Sequence, residues 1–241
     1  MTTGRIDVHS HLIPGVDDGC RTVEDSIACA KILVQNGYTH SFCTPHVWPD
    51  LPHNTVEGIT QRVSHLQKHL DDAGVPLKLF PGGELNLRPD MPANAAKEIV
   101  TYGMKEHFVL FDIWADQLPA FFKPTVQWLQ SHDVTVMMAH PERMKAVQQD
   151  PGLIRFFKDE LGLLLQGNLQ CFGDPVGYPT RALAEKFISA GEYFVLGSDL
   201  HNPQSMGIRM NGLKRAIEVV GEEQVNQLTI THPREILKGV L

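Results

Sequence analysis

The feature that most constrains this chain is an alternation. A short apolar run ends on a polar side chain, a helical pattern follows, and the unit repeats. The apolar runs are Ile6 to His11, Thr39 to His46, Leu77 to Leu85, Phe108 to Trp114, Val134 to His140, Leu163 to Leu169 and Tyr193 to His201. They are rich in Val, Ile, Leu and Phe, as strands buried on both faces of a parallel sheet are. Between them, Thr22-Val-Glu-Asp25 has the form of a capping box with Asp for the usual Glu, opening a helix that stops near Gly37. Val56, Ile59, Val63, Leu66 and Leu70 step by three or four and mark one apolar helix face, closed by Gly74. Pro92 suits the first turn of another helix, and Arg181 to Ala190, Arg209 to Val220 and Pro233 to Lys238 also have helical patterns. About seven β–α units predict an α/β fold with a parallel sheet and helices outside.

The polar residues at the run ends favour a closed or distorted barrel over an open doubly wound sheet. Barrel enzymes place their chemistry at the C-terminal ends of the strands, and no G-x-G-x-x-G fingerprint supports the open alternative. His9 and His11 share a strand face by their i, i+2 spacing, and so do Asp199 and His201 in "GSDLH". If the barrel closes between the first and last strands, these pairs are neighbours. His46 ends the second run, Glu84 the third, Asp112 the fourth and His140 the fifth, with Arg143 just beyond. Asp17 and Asp18 lie in the loop after the first strand.

Any one of these residues reads equally well as a hydrogen-bonded strand cap. Six run ends carrying His, Asp or Glu read differently, because so many buried carboxylates without counter-charge are costly. Mixed imidazole and carboxylate donors suit Mn, Fe or Zn rather than Ca, and the count exceeds one four-coordinate ion. Two or three divalent ions are expected, with a carboxylate bridging. His40, His53, His65, His69, His107, His132 and His232 lie away from the run ends and read as structural or solvated.

The 241 residues are expected to form a single domain, 1–241, with a net charge of -7. An acidic chain without a basic stripe is not expected to bind nucleic acid. MTTGRIDVH lacks the apolar region of a signal peptide, and no run is long enough to span a bilayer, so a cytoplasmic protein without membrane insertion is expected. Cys20, Cys29, Cys43 and Cys171 show no C-x-x-C pairing and read as reduced thiols.

"DVHSH", "VDDG", "TPH", "GGEL", "AHPER" and "SDLHN" resemble the motifs of the PHP (polymerase and histidinol phosphatase) superfamily. In order and content they more closely resemble the bacterial manganese-dependent tyrosine-protein phosphatases of capsule and exopolysaccharide biosynthesis, the CpsB/CapC family. The resemblance runs from Ile6 to the final "HPREIL". It implies a distorted (β/α)7 barrel of the PHP type with a trinuclear centre at the C-terminal strand ends. Carried over by motif, His9, His11, Glu84 and Asp199 would hold one ion. Glu84, Asp112 and His140 would hold a second, and Asp18, His46 and His201 a third. Manganese is the ion implied, with Fe, Zn and Mg as alternatives. Arg143 matches the family's phosphate-binding arginine. The chain departs from the family in having Asp112 where Glu is usual. It departs again in having Arg209 as the nearest counterpart, at a different spacing, of a second arginine after the last D-x-H.

The implied reaction is phosphomonoester hydrolysis by metal-activated water, with Arg143 gripping the phosphate and Asp199 and His201 as candidate proton-transfer groups. The implied partner is a phosphotyrosine protein, a bacterial tyrosine kinase of polysaccharide export. A cysteine-dependent mechanism is excluded independently. The residues six positions after the four cysteines are Ser26, Gln35, Pro49 and Gly177, none of them the arginine that mechanism needs. Trp48, in "HVWPDLPHN", is the preferred candidate for the substrate's ring, with Trp114, Phe121 and Phe122 as further aromatics. A small-molecule phosphatase acting on a histidinol-phosphate-like ester, a phosphodiesterase and an inactive scaffold remain as alternatives.

Overall fold

A computed structural model describes residues 4–94, 99–105 and 107–240. Its strands are β1 (Arg5–Asp7), β2 (Tyr38–Cys43), β3 (His46–Val47), β4 (Lys78–Pro81), β5 (Glu84–Asn86), β6 (Phe108–Asp112), β7 (Thr135–Ala139), β8 (Leu164–Asn168) and β9 (Val195–Gly197). All ladders are parallel. One sheet has the order β1-β2-β4 and the other β3-β5-β6-β7-β8-β9. Two of the expected single runs are split. Pro45, which has no N–H for a ladder, separates β2 from β3, and Gly82–Gly83 separate β4 from β5.

The parallel sheet curls until its first and last strands meet. Ser10 bridges Leu200, His11 N donates to Leu200 O at 2.9 Å, and Asp199 N donates to His9 O at 2.7 Å. Asp7 reinforces this seam from below, accepting from Ser198 N at 2.9 Å and Ser198 Oγ at 2.5 Å. Burial pushes the Asp7 carboxyl up to about 6, against the Ser198 hydrogen bonds.

Side chains alternate across the strands. Val109, Phe111, Val136, Met138 and Leu165 pack outward in the larger apolar cluster, with Ile59, Val63, Leu66 and Leu70 from the helix Val56–Asp72. Leu110, Met137, Ala139, Val195, Phe42 and Phe80 form a second cluster, joined by Ile236 and Leu237 near the chain's end. The helix Val23–Gln35 begins at Thr22, whose side chain accepts from Asp25 N; Asp25 accepts from Arg21 N, the residue before the cap, so the Thr22 half of the expected capping box forms and the Asp25 half lands one residue early. Arg181 to Ala190 corresponds to a helix over Pro179–Ser189, and Arg209 to Val220 to one over Met206–Val220. The helix expected from Pro92 is described only over Met91–Asn94; residues 95–98 lie outside the described residues. Among the described residues no helix is long and apolar enough to cross a membrane.

Candidate active site

The strand ends converge on Glu84, which is buried at the start of β5. Its Oε2 lies 3.3 Å from His9 Nε2, 3.5 Å from His11 Nε2 and 3.0 Å from His46 Nδ1, and its Oε1 lies 3.1 Å from His140 Nε2. Asp199 faces the same group, with Oδ1 3.4 Å from His9 Nε2, 3.2 Å from His11 Nε2 and 3.6 Å from His201 Nδ1. Asp18 caps the outer side, at 3.3 Å from His46 Nε2 and 3.4 Å from His201 Nε2. Three sets of donor atoms lie within 4.8 Å of one another: His11, Asp18, His46 and His201; His9, His11 and Glu84; and His46, Glu84 and Asp112.

Local backbone geometry sets these directions. His140 and Asp199 have φ of 33° and 49°. That left-handed conformation is strained for a residue with a Cβ, costing ~1–3 kcal/mol, and such strain concentrates at functional sites. Glycine makes room for two of the imidazoles. A Cβ on Gly197 would meet the Cβ of His9 at 2.7 Å, and one on Gly19 would collide with the Cβ and carbonyl of His11.

The outward nitrogens of the first pair are already engaged. His11 Nδ1 contacts Asp17 Oδ2 at 2.7 Å, and His9 Nδ1 contacts Gln166 Oε1 at 2.8 Å. A carboxylate only accepts, and Gln166 Nε2 is spent on Gly167 O, so both Nδ1 atoms carry the proton. Both Nε2 lone pairs then point into one space, 3.2 Å apart. Two lone pairs at that distance repel unless a cation or an added proton lies between them. Carboxylates and amides that accept from the outward nitrogen orient metal-ligating histidines in the same way. The donor set fits divalent cations on this ground.

The charges agree. Burial raises the Glu84 carboxyl, but His9, His140 and His46 outweigh it and hold it well below the usual carboxylate range. Asp199 is likewise held well below by His9 and His11 against the effect of burial. Burial lowers His11, yet Asp17 and Asp199 bring it well above its ordinary value. Asp112 behaves oppositely. Burial first, then the Glu84 charge, push it up to about 7, against His46 and the donors Trp114 and Asn86. It is a carboxylate short of positive charge.

The cluster opens into a cavity of about 470 Å³, lined among others by Asp18, His46, Asp112, Trp114, His140 and Arg143. Arg143 Nη1 donates to Asp199 Oδ2 at 2.8 Å, with 43% of its side chain exposed. Among the described residues Asp199 is the one acceptor with which its guanidinium pairs.

Two residues expected to contact substrate lie outside the cavity lining. Arg209 is buried and does not line the cavity. Its Nε donates to Ser198 O at 2.8 Å and Asp199 O at 3.0 Å, its Nη2 to Asp199 O at 2.5 Å and its Nη1 to Ser205 O at 3.1 Å. Those carbonyls engage the guanidinium, which clamps the turn that carries Asp199. Trp48 is half-buried and outside the cavity lining. It stacks on His46 at 4.0 Å between ring centroids, and Trp114 stands at the mouth instead.

From the sequence alone, Asp17 lies in a loop without an assigned role, and the other supporting side chains are not singled out. Asp17 and Gln166 orient His11 and His9, and Asn168 Nδ2 donates to Asp199 Oδ2 at 2.7 Å. Asn168 N also donates to Glu142 Oε1 at 2.7 Å. The signal was available in "LLQGN", where Gln166 and Asn168 interrupt an apolar run with i, i+2 spacing. All four cysteines are free and buried, away from the cavity lining.

The family model for capsular polysaccharide synthesis, CpsB/CapC, matches residues 5–238. The tyrosine-protein phosphatase YwqE of Bacillus subtilis is 25% identical over 197 residues, covering 82% of this chain and 77% of YwqE. The tyrosine-protein phosphatase CpsB of Streptococcus agalactiae is 23% identical over 253 residues, covering 97% and 98%. A solved chain from "Crystal structures of YwqE from Bacillus subtilis and CpsB from Streptococcus pneumoniae, unique metal-dependent tyrosine phosphatases" shares the fold. It superposes with a TM-score of 0.87 at 24% identity, covering 98% of this chain and 95% of that one. With the family model spanning nearly all of its length, the chain belongs to the CpsB/CapC family.

Proposed function

We propose that this chain is a metal-dependent protein-tyrosine phosphatase, acting on phosphotyrosine of a bacterial tyrosine kinase of polysaccharide biosynthesis. The observation that carries the reading is the placement of Glu84 among four imidazoles, beside a cavity whose wall holds Arg143. The names of the relatives YwqE and CpsB support the substrate class. We read β2 with β3, and β4 with β5, as two interrupted strand paths, which makes the sheet a distorted (β/α)7 barrel in one domain with its metal site at the C-terminal ends.

In this reading His9, His11, Glu84 and Asp199 hold one ion, Glu84, Asp112 and His140 a second, and Asp18, His46 and His201 a third. The mixed donors suit Mn foremost, then Fe or Zn. Bound divalent cations would supply positive charge for the phosphoryl oxygens and a lowered pKa for the attacking water. The chain's own residues do the rest. Arg143 binds the phosphate through its planar fork, a geometry lysine lacks. Asp17 and Gln166 keep both Nδ1 protons in place, so that His9 and His11 present Nε2 to the site. Asn168 holds Asp199 in position. A phenol leaves with less proton assistance than an alkyl alcohol, which suits a site whose acids are committed to binding. His201 Nδ1 donates to Asp199 O, which turns its Nε2 toward Asp18 and the third ion. Four unpaired buried thiols fit a reducing compartment, the cytoplasm.

The test is phosphate release from a phosphotyrosine peptide after chelator stripping, with Mn, Mg, Zn and Fe added back and His140→Ala as control. Return of activity with Mn, and its loss in the variant, is expected. Turnover of histidinol phosphate but not of the peptide under any metal would replace the substrate assignment.

A further inference from the structure

Trp114 is the large aromatic side chain that this fold leaves in the open beside the site. It is 69% exposed, yet it is held in place. Its indole N–H donates to Asp112 Oδ2, and its ring meets Trp48 edge-on at 5.8 Å and 83°. Trp48 in turn stacks on His46 at 4.0 Å and 25°. A row of rings therefore runs from the imidazole beside Glu84 out to the cavity mouth, where Trp114 lines the wall next to Ile113 and Ala115. An exposed tryptophan fixed at one edge loses little conformational freedom when a planar group packs on it.

We propose that Trp114 is a specificity-determining residue, whose exposed ring packs against the aromatic leaving group of the phosphate ester and selects aryl over alkyl phosphomonoesters. This rests on the phosphatase reading above and extends it to the choice of substrate. The phosphoryl group, drawn to Arg143 and the Glu84 cluster, lies deeper in the cavity, so a ring attached to it passes the mouth where Trp114 stands. Trp48 holds the Trp114 edge and does not itself reach the cavity lining.

Two variants separate the ring from the indole N–H. Trp114→Phe and Trp114→Ala both lose the donor to Asp112, and only the alanine loses the ring. Phosphate release would be followed on a phosphotyrosine peptide and on glycerol 3-phosphate, with the ratio of kcat/KM for the two esters taken for each protein. Dividing each variant's ratio by the parent's cancels the intrinsic difference between phenol and alcohol leaving groups and any shared loss through Asp112. Trp114→Ala is expected to lower the ratio ~3–10-fold, chiefly through KM for the peptide, the scale of one aromatic contact. Trp114→Phe is expected to stay within about twofold of the parent. Equal losses on both esters in both variants, with the ratio unmoved, would overturn the proposal and leave Trp114 as a support for Asp112. A parent protein that turns over glycerol 3-phosphate as well as the peptide would also overturn it while leaving phosphatase chemistry standing. No turnover of either ester by the parent would overturn the phosphatase reading and this proposal together.

Discussion

The Nε2 atoms of His9 and His11 stand 3.2 Å apart, and each ring's other nitrogen is tied, to Gln166 and to Asp17. Protons can stand in for cations in such a cluster. Burial depresses the His46 imidazole, but hydrogen bonds to Asp18 and Glu84 raise it to about 9. A raised histidine contributes stability fully below its unfolded value near 6.5 and loses it as pH rises through 9. The metal-free protein should therefore weaken between pH 6.5 and 9, while deprotonated ligands bind metal better. The Tm gap between Mn-loaded and chelator-stripped protein should widen from pH 6.5 to 8.5, reaching on the order of 10 °C at saturating metal. A gap that shrinks with pH would contradict a metal role for these imidazoles.

Glu84 touches His9, His11, His46 and His140, so Glu84→Gln should empty more of the site than loss of any single histidine. Metal content of purified protein, by elemental analysis, should fall further for Glu84→Gln than for His140→Ala. Equal losses would argue against a bridging carboxylate.

Arg143 is half-exposed on the cavity wall and pairs with Asp199 at 2.8 Å. Arg143→Ala should lower kcat/KM by about 100-fold or more, the usual scale for losing one preorganised donor to developing charge. Arg143→Lys should recover only part, because a point charge replaces a planar fork. Full recovery by lysine would remove the case for bidentate phosphate binding.

Arg209 acts on structure. Removing its guanidinium takes a donor from the carbonyls of Ser198 and Ser205 and from Asp199 O, which keeps only His201 Nδ1. Arg209→Met should cost about 2–4 kcal/mol in denaturant unfolding, on the scale of leaving buried polar groups unsatisfied. It should lower metal retention by Asp199 more than it raises KM. A variant with parent stability and a large rise in KM would restore Arg209 to the phosphate.

Glu142 is buried behind the site, and burial lifts its carboxyl to about 7 against the Asn168 hydrogen bond. A raised carboxyl binds its proton more tightly in the folded state, so stability is greatest below the unfolded value near 4.5 and falls as pH rises through 7. Glu142→Gln should flatten that fall and stabilise the protein at pH 8 by up to about 3 kcal/mol, the linkage value of the shift. Thermal unfolding at pH 5 and pH 8 measures it, and an unchanged pH dependence would show that Glu142 ionises freely.

Some of the expected runs come through intact and others do not. Val134 to His140 and Leu163 to Leu169 correspond to β7 and β8. Thr39 to His46 and Leu77 to Leu85 are each broken, because Pro45 and Gly82–Gly83 interrupt the ladder while the apolar pattern continues across them. The i, i+2 spacing of His9 and His11 placed both rings in one space. His140, named as the end of the fifth run, has no i, i+2 partner of this kind and enters the site on a left-handed backbone. Arg209 and Trp48 lie outside the cavity lining, and a residue's number does not say which way its side chain turns.

Composition, apolar periodicity and the acids and imidazoles at the run ends determined a parallel α/β chain with a cluster of metal-type donors, since strand alternation and ligand chemistry are local properties. The tertiary structure alone decided which side chains meet. The Ser10–Leu200 seam brings residue 9 within reach of residue 199, β8 carries amides in place of ligands, and Trp114 is left in the open while Trp48 is half-buried against His46. Those outcomes depend on how the sheet curls and on which polar groups must be satisfied once buried, and both are properties of the packed chain as a whole.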